Sequence, residues 1–258
     1  MGTPVRLPRP PRRVVSLVPS LTEAVAGSVP EVLVGATLWC TRPAGLDVAR
    51  VRGTKNPDRA AISRLRPDLV IANKEENREL DVARLRAAGI PVWVTVVETL
   101  PQALDSLGRL FTEALSAPVP GWLATARSLW SGPLPPVAAT VAVPVWRDPW
   151  MVVGRSTFAG DLLRRAGLAN AFAGHPDRYP HTGPEEIDRL GLDAVLLPDE
   201  PYVFTAEDGP EVFARTPTRL VSGRLLTWYG PSLPRARTTL ADLVSTLGPP
   251  TSGRPRAG

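Results

Sequence analysis

The 258-residue sequence predicts an α/β protein of two similar lobes, each with a parallel sheet, joined by a helical connector with a ligand cleft between the lobes. Three observations carry this expectation. Strand and helix signals alternate through the first half, the pattern of a parallel sheet. A Pro-rich stretch then interrupts it. The second half repeats the first: "ISRLRPDLVIANKEE" (62–76) and "IDRLGLDAVLLPDEP" (187–201) align without a gap at an offset of 125. Ile62/Ile187, Arg64/Arg189, Leu65/Leu190, Asp68/Asp193, Val70/Val195 and Glu75/Glu200 coincide in that alignment.

In chain order, "RVVSLV" (13–18) is a β-branched run that predicts the first strand, and "PSLTEAVAG" (19–27) predicts a helix. Ser20 and Glu23 have the spacing of a capping box, and Gly27 is placed to stop the helix. "VLVGATLW" (32–39) predicts a second strand, "PDRAAISRL" (57–65) a helix and "PDLVIA" (67–72) a third strand. A helix through "RELDVARLRAAG" and a strand at "IPVWVTVV" (90–97) follow. Apolar residues at 100, 103, 104, 107, 110, 111, 114 and 115 then mark one face of a helix, with Thr99 and Gln102 as its cap. Pro118, Pro120, Pro133, Pro135 and Pro136 bracket one short helical segment, "GWLATARSLW". Proline inside a helix loses a hydrogen bond and clashes, so this stretch reads as a stiff connector. The expected organisation is an N-terminal lobe over 1–116, a connector over 117–136, a C-terminal lobe over 137–248 and a flexible tail over 249–258. A looser match of "TLPQALDSLGRL" (99–110) with "SLPRARTTLADL" (232–243) supports the repeat.

Composition narrows the function classes. The formal charge of +5 comes from scattered residues, mostly arginine, without the basic stripe of a nucleic-acid binder. A single cysteine, Cys40, rules out an internal disulfide framework. No run reaches the roughly 18 apolar residues of a membrane helix. The opening "MGTPVRLPRPPRRVVSL" carries no apolar signal-peptide core of about 7–15 residues and no lipobox-like cysteine. The expectation is therefore a cytoplasmic protein, periplasmic or surface-anchored only if a signal peptide has been removed.

In open parallel sheets, ligands bind beyond the carboxyl ends of the strands. Lys74, Glu75 and Glu76 follow one such strand, and their repeat partners, from Asp199 through Glu200 to Tyr202, follow another. A macrodipole argument accounts for acidic groups at a helix start with Asn73 as cap, but not for Lys74 there. In "VWRDPWMVVGRST" (145–157), Trp146, Arg147, Trp150 and Arg155 pair arginine with tryptophan, a combination that holds planar or carboxylated ligands. "LLTWYG" offers Trp228 and Tyr229 before a Gly-Pro turn, and "WCTRP" offers Trp39, Cys40 and Arg42. His175 and His181 flank "PDRYP" with no third ligand, so no metal site is expected. A Gly-rich phosphate loop, a CxxC pair and a G-x-S-x-G element are all lacking.

The blocks "RVVSLVPSLTEAVAG", "LVGATLWCTRP", "RGTKNPDRAAISRLRPDLVIANKEEN", "LRAAGIPVWV", "GRSTFAGDLLRRAGLANAF" and "PEEIDRLGLDAVLL" resemble the helical-backbone metal-receptor superfamily. These are the class III periplasmic binding proteins that serve cobalamin, haem and siderophore importers, and the likeness is greatest to the cobalamin-binding group. The resemblance spans about 13–248 and implies a ligand held between two lobes and docking to an ABC importer. It places Trp39 at a cleft aromatic, and Lys55 and Asn73 where the cobalamin group carries tryptophans. Glu185 or Glu186 matches one transporter-docking acid, and Asp58 lies near the other.

The reading is a small-molecule binding protein for a polar or anionic ligand, a corrinoid or other metal chelate being the implied class. Trp39, Trp146, Trp150 and Trp228 would clamp it, while Lys74, Arg147 and Arg155 neutralise its acidic groups. The rival is an intracellular enzyme on the same scaffold, using Lys74, Glu75 and Cys40 for acid–base or nucleophilic chemistry.

Overall fold

In the computed structural model, which describes residues 5–247, the chain divides into two units. Unit 1 comprises Met1–Val97, Pro101–Ser128 and Tyr229–Pro231; unit 2 comprises Glu98–Leu100, Leu129–Trp228 and Ser232–Gly258. The tail expected at 249–258 lies outside the described residues.

Unit 1 is built on strands β1 (Val14–Ser16), β2 (Leu33–Ala36), β3 (Ala49–Arg50), β4 (Leu69–Asn73) and β5 (Val92–Thr95). They form one sheet in the order β3-β2-β1-β4-β5, and every pairing is parallel. Its helices are α1 (Pro19–Ala26), α2 (Arg59–Arg64), α3 (Glu79–Ala87), α4 (Leu100–Arg109) and α5 (Gly121–Leu129). Val15, Leu17, Val70, Ala72 and Val92 of the sheet pack against Ile62, Val82 and Leu85 of the helices, so one apolar core fixes where the strands end.

Local chemistry explains where elements start and stop. Asp58 caps α2 by accepting from the amide of Ala61 at 2.9 Å, a contact worth about 1 kcal/mol. The capping box expected at Ser20 and Glu23 does not form. Pro19 already occupies the first helical turn, which puts Ser20 inside α1 and too late to cap it. The second strand ends at Ala36, short of Trp39, because the chain curls: Arg50 donates to the carbonyl oxygens of Thr37 at 3.1 Å and Cys40 at 2.9 Å. The helix expected over 100–115 is α4 followed by a π-helical turn, Leu110–Ala114. Where this turn closes, Leu115 donates to the Leu110 carbonyl at 2.9 Å.

Unit 2 contains β6 (Ala139–Ala142), β7 (Pro144–Trp146), β8 (Met151–Val152), β9 (Leu168–Asn170), β10 (Ala194–Pro198) and β11 (Thr218–Val221). Its helices are α6 (Phe158–Ala166), α7 (Pro184–Arg189), α8 (Gly223–Thr227) and α9 (Leu233–Leu247). A parallel sheet runs in the order β11-β10-β6-β9, and β7 and β8 make a separate antiparallel hairpin. Ala142, Val152, Ile187, Val195, Leu197, Phe204 and Phe213 form its core.

The internal repeat is real at the level of elements. α2 and α7 have equal length at the offset of 125, and so do β4 and β10. The strand order β2-β1-β4-β5 in unit 1 has its counterpart in β9-β6-β10-β11 of unit 2. The shared aspartates do one job twice. Asp68 accepts from the amides of Arg12 at 2.8 Å and Arg13 at 3.0 Å, while Asp193 accepts from Thr140 at 2.7 Å. Each ties the helix–strand corner to the first strand of its own sheet.

Candidate functional site

At the carboxyl end of the unit 1 sheet, a buried polar network shapes the loop that carries the charged cluster. Asn73 donates from Nδ2 to Thr95 Oγ1 at 3.0 Å, and Thr95 Oγ1 donates in turn to the Ala72 carbonyl at 3.2 Å. The Asn73 carboxamide oxygen accepts from the amides of Glu75 at 2.7 Å and Glu76 at 3.3 Å. Asn73 therefore caps the turn after β4. It does not cap α3, which begins only at Glu79 with Arg78 before it. Asn77 closes the network by donating from Nδ2 to the carbonyls of Thr54 at 2.9 Å and Leu17 at 3.3 Å. Three loops are thereby locked around Lys74, Glu75 and Glu76.

Within this frame Lys74 is exposed, whereas Glu75 and Glu76 are half-buried. The Lys55 ammonium donates to the Glu75 carbonyl. Burial raises the Glu76 carboxyl above its ordinary value; the Lys55 charge opposes the rise and the Glu75 charge adds to it. Tyr229 is buried and belongs to unit 1. Its hydroxyl is pushed well up by burial and by the Glu76 charge, against hydrogen bonds from Thr95 and Ser20.

Two residues of the "WCTRP" stretch part company. Trp39 is 66% exposed, and its neighbour Leu38 is 60% exposed, an unusual apolar pair for a loop at a strand end. Cys40 is fully buried, with its sulfur accepting from Thr22 Oγ1 at 3.0 Å and 3.1 Å from Thr37 Oγ1. Burial pushes its thiol up, against those hydroxyl contacts. Cys40, expected in the rival reading as a nucleophile, is thus a shielded thiol whose surroundings disfavour the thiolate.

In unit 2 the aromatic and arginine residues separate in a similar way. Trp150 stacks on Phe204 at 5.6 Å and meets Phe213 edge-on at 5.8 Å, which makes it a wall of the core. Trp146 is 44% exposed and meets Tyr202 edge-on at 5.9 Å. Arg147 lies over the Trp150 ring at 5.5 Å and donates to Asp208 and, at 2.6 Å, to Glu211. Asp148 stands 3.7 Å from it as a third carboxylate. Arg147, expected to neutralise acidic ligand groups, is thus already surrounded by three carboxylates of its own chain. Tyr202 donates to Asp208 at 2.6 Å.

Arg155 is exposed just before α6, which Thr157 caps by accepting from Gly160 at 3.1 Å. Trp228 is buried, with the Arg224 guanidinium over its ring at 5.9 Å. Glu200 is half-buried in the turn after β10, where Asp199 accepts from the amide of Gly223 at 2.7 Å. His175 accepts from the Asp177 amide at 3.0 Å through Nδ1. Among the described residues no group of three or more His, Cys, Asp or Glu is placed to hold a metal ion, and no helix is long and apolar enough to cross a membrane. Sequence reasoning passed over Thr95, Asp208 and Glu211 as site residues, although each holds a predicted one in place, and it grouped Asn77 with the charged cluster without seeing that Asn77 is its scaffold.

The exposed candidates at both sheet ends are thus Trp39, Lys74, Trp146 and Arg155, with Glu75, Glu76, Glu200 and Tyr202 half-buried beside them. Solved structures similar to this chain include the periplasmic vitamin B12 binding protein of Vibrio cholerae, with a TM-score of 0.75 at 17% identity over 92% of this chain and 98% of that one. A periplasmic haem-binding protein from Pseudomonas aeruginosa gives 0.75 at 22% identity over 94% and 95%. The chain has the class III periplasmic-binding-protein fold. Among curated sequences, the vitamin B12-binding protein of Pectobacterium carotovorum is 23% identical over 252 residues, 94% of this chain and 91% of that protein. No protein-family model matches the chain. In a class III binding-protein fold, the faces described above are the strand-carboxyl ends at which open α/β sheets place ligands.

Proposed function

We propose that this chain is a substrate-binding protein for a cobalamin- or haem-type metal chelate. The end-to-end likeness to a vitamin B12-binding protein, over 94% of this chain, carries the reading. The faces support it chemically. Exposed indoles at Trp39 and Trp146 offer flat apolar contact to a macrocycle, and Lys74 and Arg155 offer charge to its polar periphery. The finer ligand preference is polar, because Lys55 and Asn73 stand where the cobalamin group is expected to carry aromatics. Docking to an ABC importer belongs to the same proposal, with the exposed Glu185 and Glu186 at the start of α7 as the contact in unit 2.

Titration with cyanocobalamin, hemin and ferrichrome, followed by tryptophan emission and calorimetry, tests the reading. Saturable binding of at least one is expected, weakened about tenfold or more in W39A, since an aromatic truncation at a binding face commonly costs over 1 kcal/mol. Failure of all three to bind refutes it.

A second reading is favoured by one observation, the raised carboxyl of Glu76 next to Glu75. A carboxyl raised above its ordinary value by burial is the kind of group a general acid uses. An E76Q protein that still binds ligand but no longer converts it supports catalysis; unchanged ligand after prolonged incubation with wild type removes this alternative.

A further inference from the structure

We infer that Arg147 is a positioning residue for Trp146: through Asp208 and Tyr202 it fixes the exposed indole as a preformed platform for a flat face of the ligand. The inference rests on the binding reading above for its ligand, but its geometry is independent of it. Arg147 and Trp146 are neighbours in sequence, yet they are also joined by a longer circuit. The Arg147 guanidinium binds Asp208 with one of its nitrogens, the other oxygen of Asp208 accepts the Tyr202 hydroxyl at 2.6 Å, and the Tyr202 ring meets the edge of Trp146 at 5.9 Å. The circuit closes on the residue beside the one where it began.

Each member is fixed from a second side. Arg147 lies over the Trp150 ring, which the core holds through Phe204 and Phe213, and also donates to Glu211 at 2.6 Å. Asp208 sits in a turn in which its amide donates to Thr205 Oγ1 at 3.1 Å and its carbonyl accepts from the Thr205 amide at 3.0 Å. The Tyr202 ring packs on Phe204 at 4.7 Å. Of the aromatic residues in this circuit, Trp146 is the exposed one, at 44%. An indole on a hairpin end would ordinarily sample several rotamers. Here its neighbour Tyr202 cannot move without breaking a charge-assisted hydrogen bond, so the rotamer is set before ligand arrives. Ordering one such ring in advance is worth about 2- to 10-fold in affinity.

The alternative job for Arg147, direct contact with an anionic ligand group, conflicts with its surroundings. Asp148, Asp208 and Glu211 place three negative charges around one positive charge. An approaching anion meets net repulsion there.

The test uses the full chain labelled with 5-fluorotryptophan. The seven tryptophans give seven fluorine resonances, and W146F assigns the one of interest. In the unliganded wild type the Trp146 resonance is expected away from the position of free fluorotryptophan. In R147M and Y202F it should move toward that position and sharpen, while the resonances of Trp39, Trp93, Trp122, Trp130 and Trp228 hold and report an intact fold; Trp150, beneath Arg147, is left out of that control. R147K, which keeps the charge but lacks the planar fork, should fall between. If R147M fails to fold, Y202F decides, since it removes a single hydroxyl. An unmoved Trp146 resonance in Y202F and R147M overturns the inference.

Cyanocobalamin and hemin are then titrated into each variant. A 2- to 10-fold loss of affinity in both R147M and Y202F is expected for whichever probe the wild type binds. Weakening in R147M with wild-type affinity in Y202F overturns the inference, because it shows that Arg147 touches the ligand directly. If neither probe binds wild type, the ligand reading fails while the fluorine spectra still decide the positioning.

Discussion

Asn73 and Asn77 hold each other across the turn after β4: the Asn73 amide donates to Asn77 Oδ1 at 2.9 Å, and the Asn77 amide donates to the Asn73 carbonyl at 3.0 Å. Both side chains are buried, so the pair acts as a rivet on which the Lys74–Glu76 cluster is mounted. Truncating Asn77 to alanine removes its bonds to Asn73, Thr54 and Leu17 and leaves buried carbonyls without a donor. A loss of about 2–4 kcal/mol is expected, at roughly 1 kcal/mol per bond plus desolvation. Asn77→Asp should be as damaging or worse, because it turns an acceptor toward two carbonyls. Urea denaturation checks both; an N77D protein as stable as wild type would show that the donors are dispensable.

Gly223 carries a second prediction. Its amide donates to Asp199, and a Cβ built there would stand 2.9 Å from the Glu200 nitrogen and closer still to that residue's carbonyl oxygen. Backbone cannot yield as a side-chain tip can. Gly223→Ala must therefore push the Glu200–Pro201 turn off the end of β10, at an expected cost of about 1–3 kcal/mol. The measurement is the thermal midpoint together with ligand affinity, and both should fall. A stability gain from alanine's helix propensity would mean that the turn moves freely.

How much of this was readable beforehand follows from the range of the forces involved. The repeat was legible because α2–β4 and α7–β10 each bury a face through local periodicity, so equal spacing in sequence became equal elements in space. The charged stretch after β4 was legible as a place. Its scaffold was not, since Asn77 finds Leu17 at 60 residues' separation and Thr54 at 23. Arg147 shows the limit most directly. Its pairing with Trp150 was visible in "WRDPW", but Asp208 and Glu211, which change what the arginine does, lie 61 and 64 residues on. Trp39 and Cys40, adjacent in sequence, end up fully opposed in exposure because the chain curls between them and the next strand. The misplaced capping box has a simpler cause: Pro19 starts α1 one residue before Ser20.

Asp188 makes unit 2 acid-sensitive. Its carboxylate accepts from the amides of Ala214 at 3.0 Å, Arg215 at 3.0 Å and Thr216 at 2.7 Å, pinning the segment that leads into β11. Burial pushes the carboxyl up, but the Thr216 hydroxyl and these amides outweigh it and hold it below the usual range. A depressed folded value means stability that is present above the unfolded pKa, near 3.9, and lost as pH falls through the folded one. Wild type should therefore exceed D188N in thermal midpoint at neutral pH, and the gap should shrink as pH falls below the unfolded value. A constant gap from pH 7 to pH 2.5 would place the effect elsewhere.

Cys40 gives the cleanest separation between the binding and the nucleophilic readings. Its sulfur is fully buried between the Thr22 and Thr37 hydroxyls, and burial keeps the thiol protonated. Reaction with a disulfide reagent needs the thiolate and a path to it, and the folded state supplies neither. Labelling of the native protein should proceed only through opening, so its rate should rise with urea in step with global unfolding. Thr22→Val removes one hydroxyl contact without opening a path, so native-state labelling should stay slow in that variant too. Rapid labelling of the native wild type, saturable and slowed by bound cyanocobalamin or hemin, would instead put the thiol at the ligand face and restore it as a candidate nucleophile.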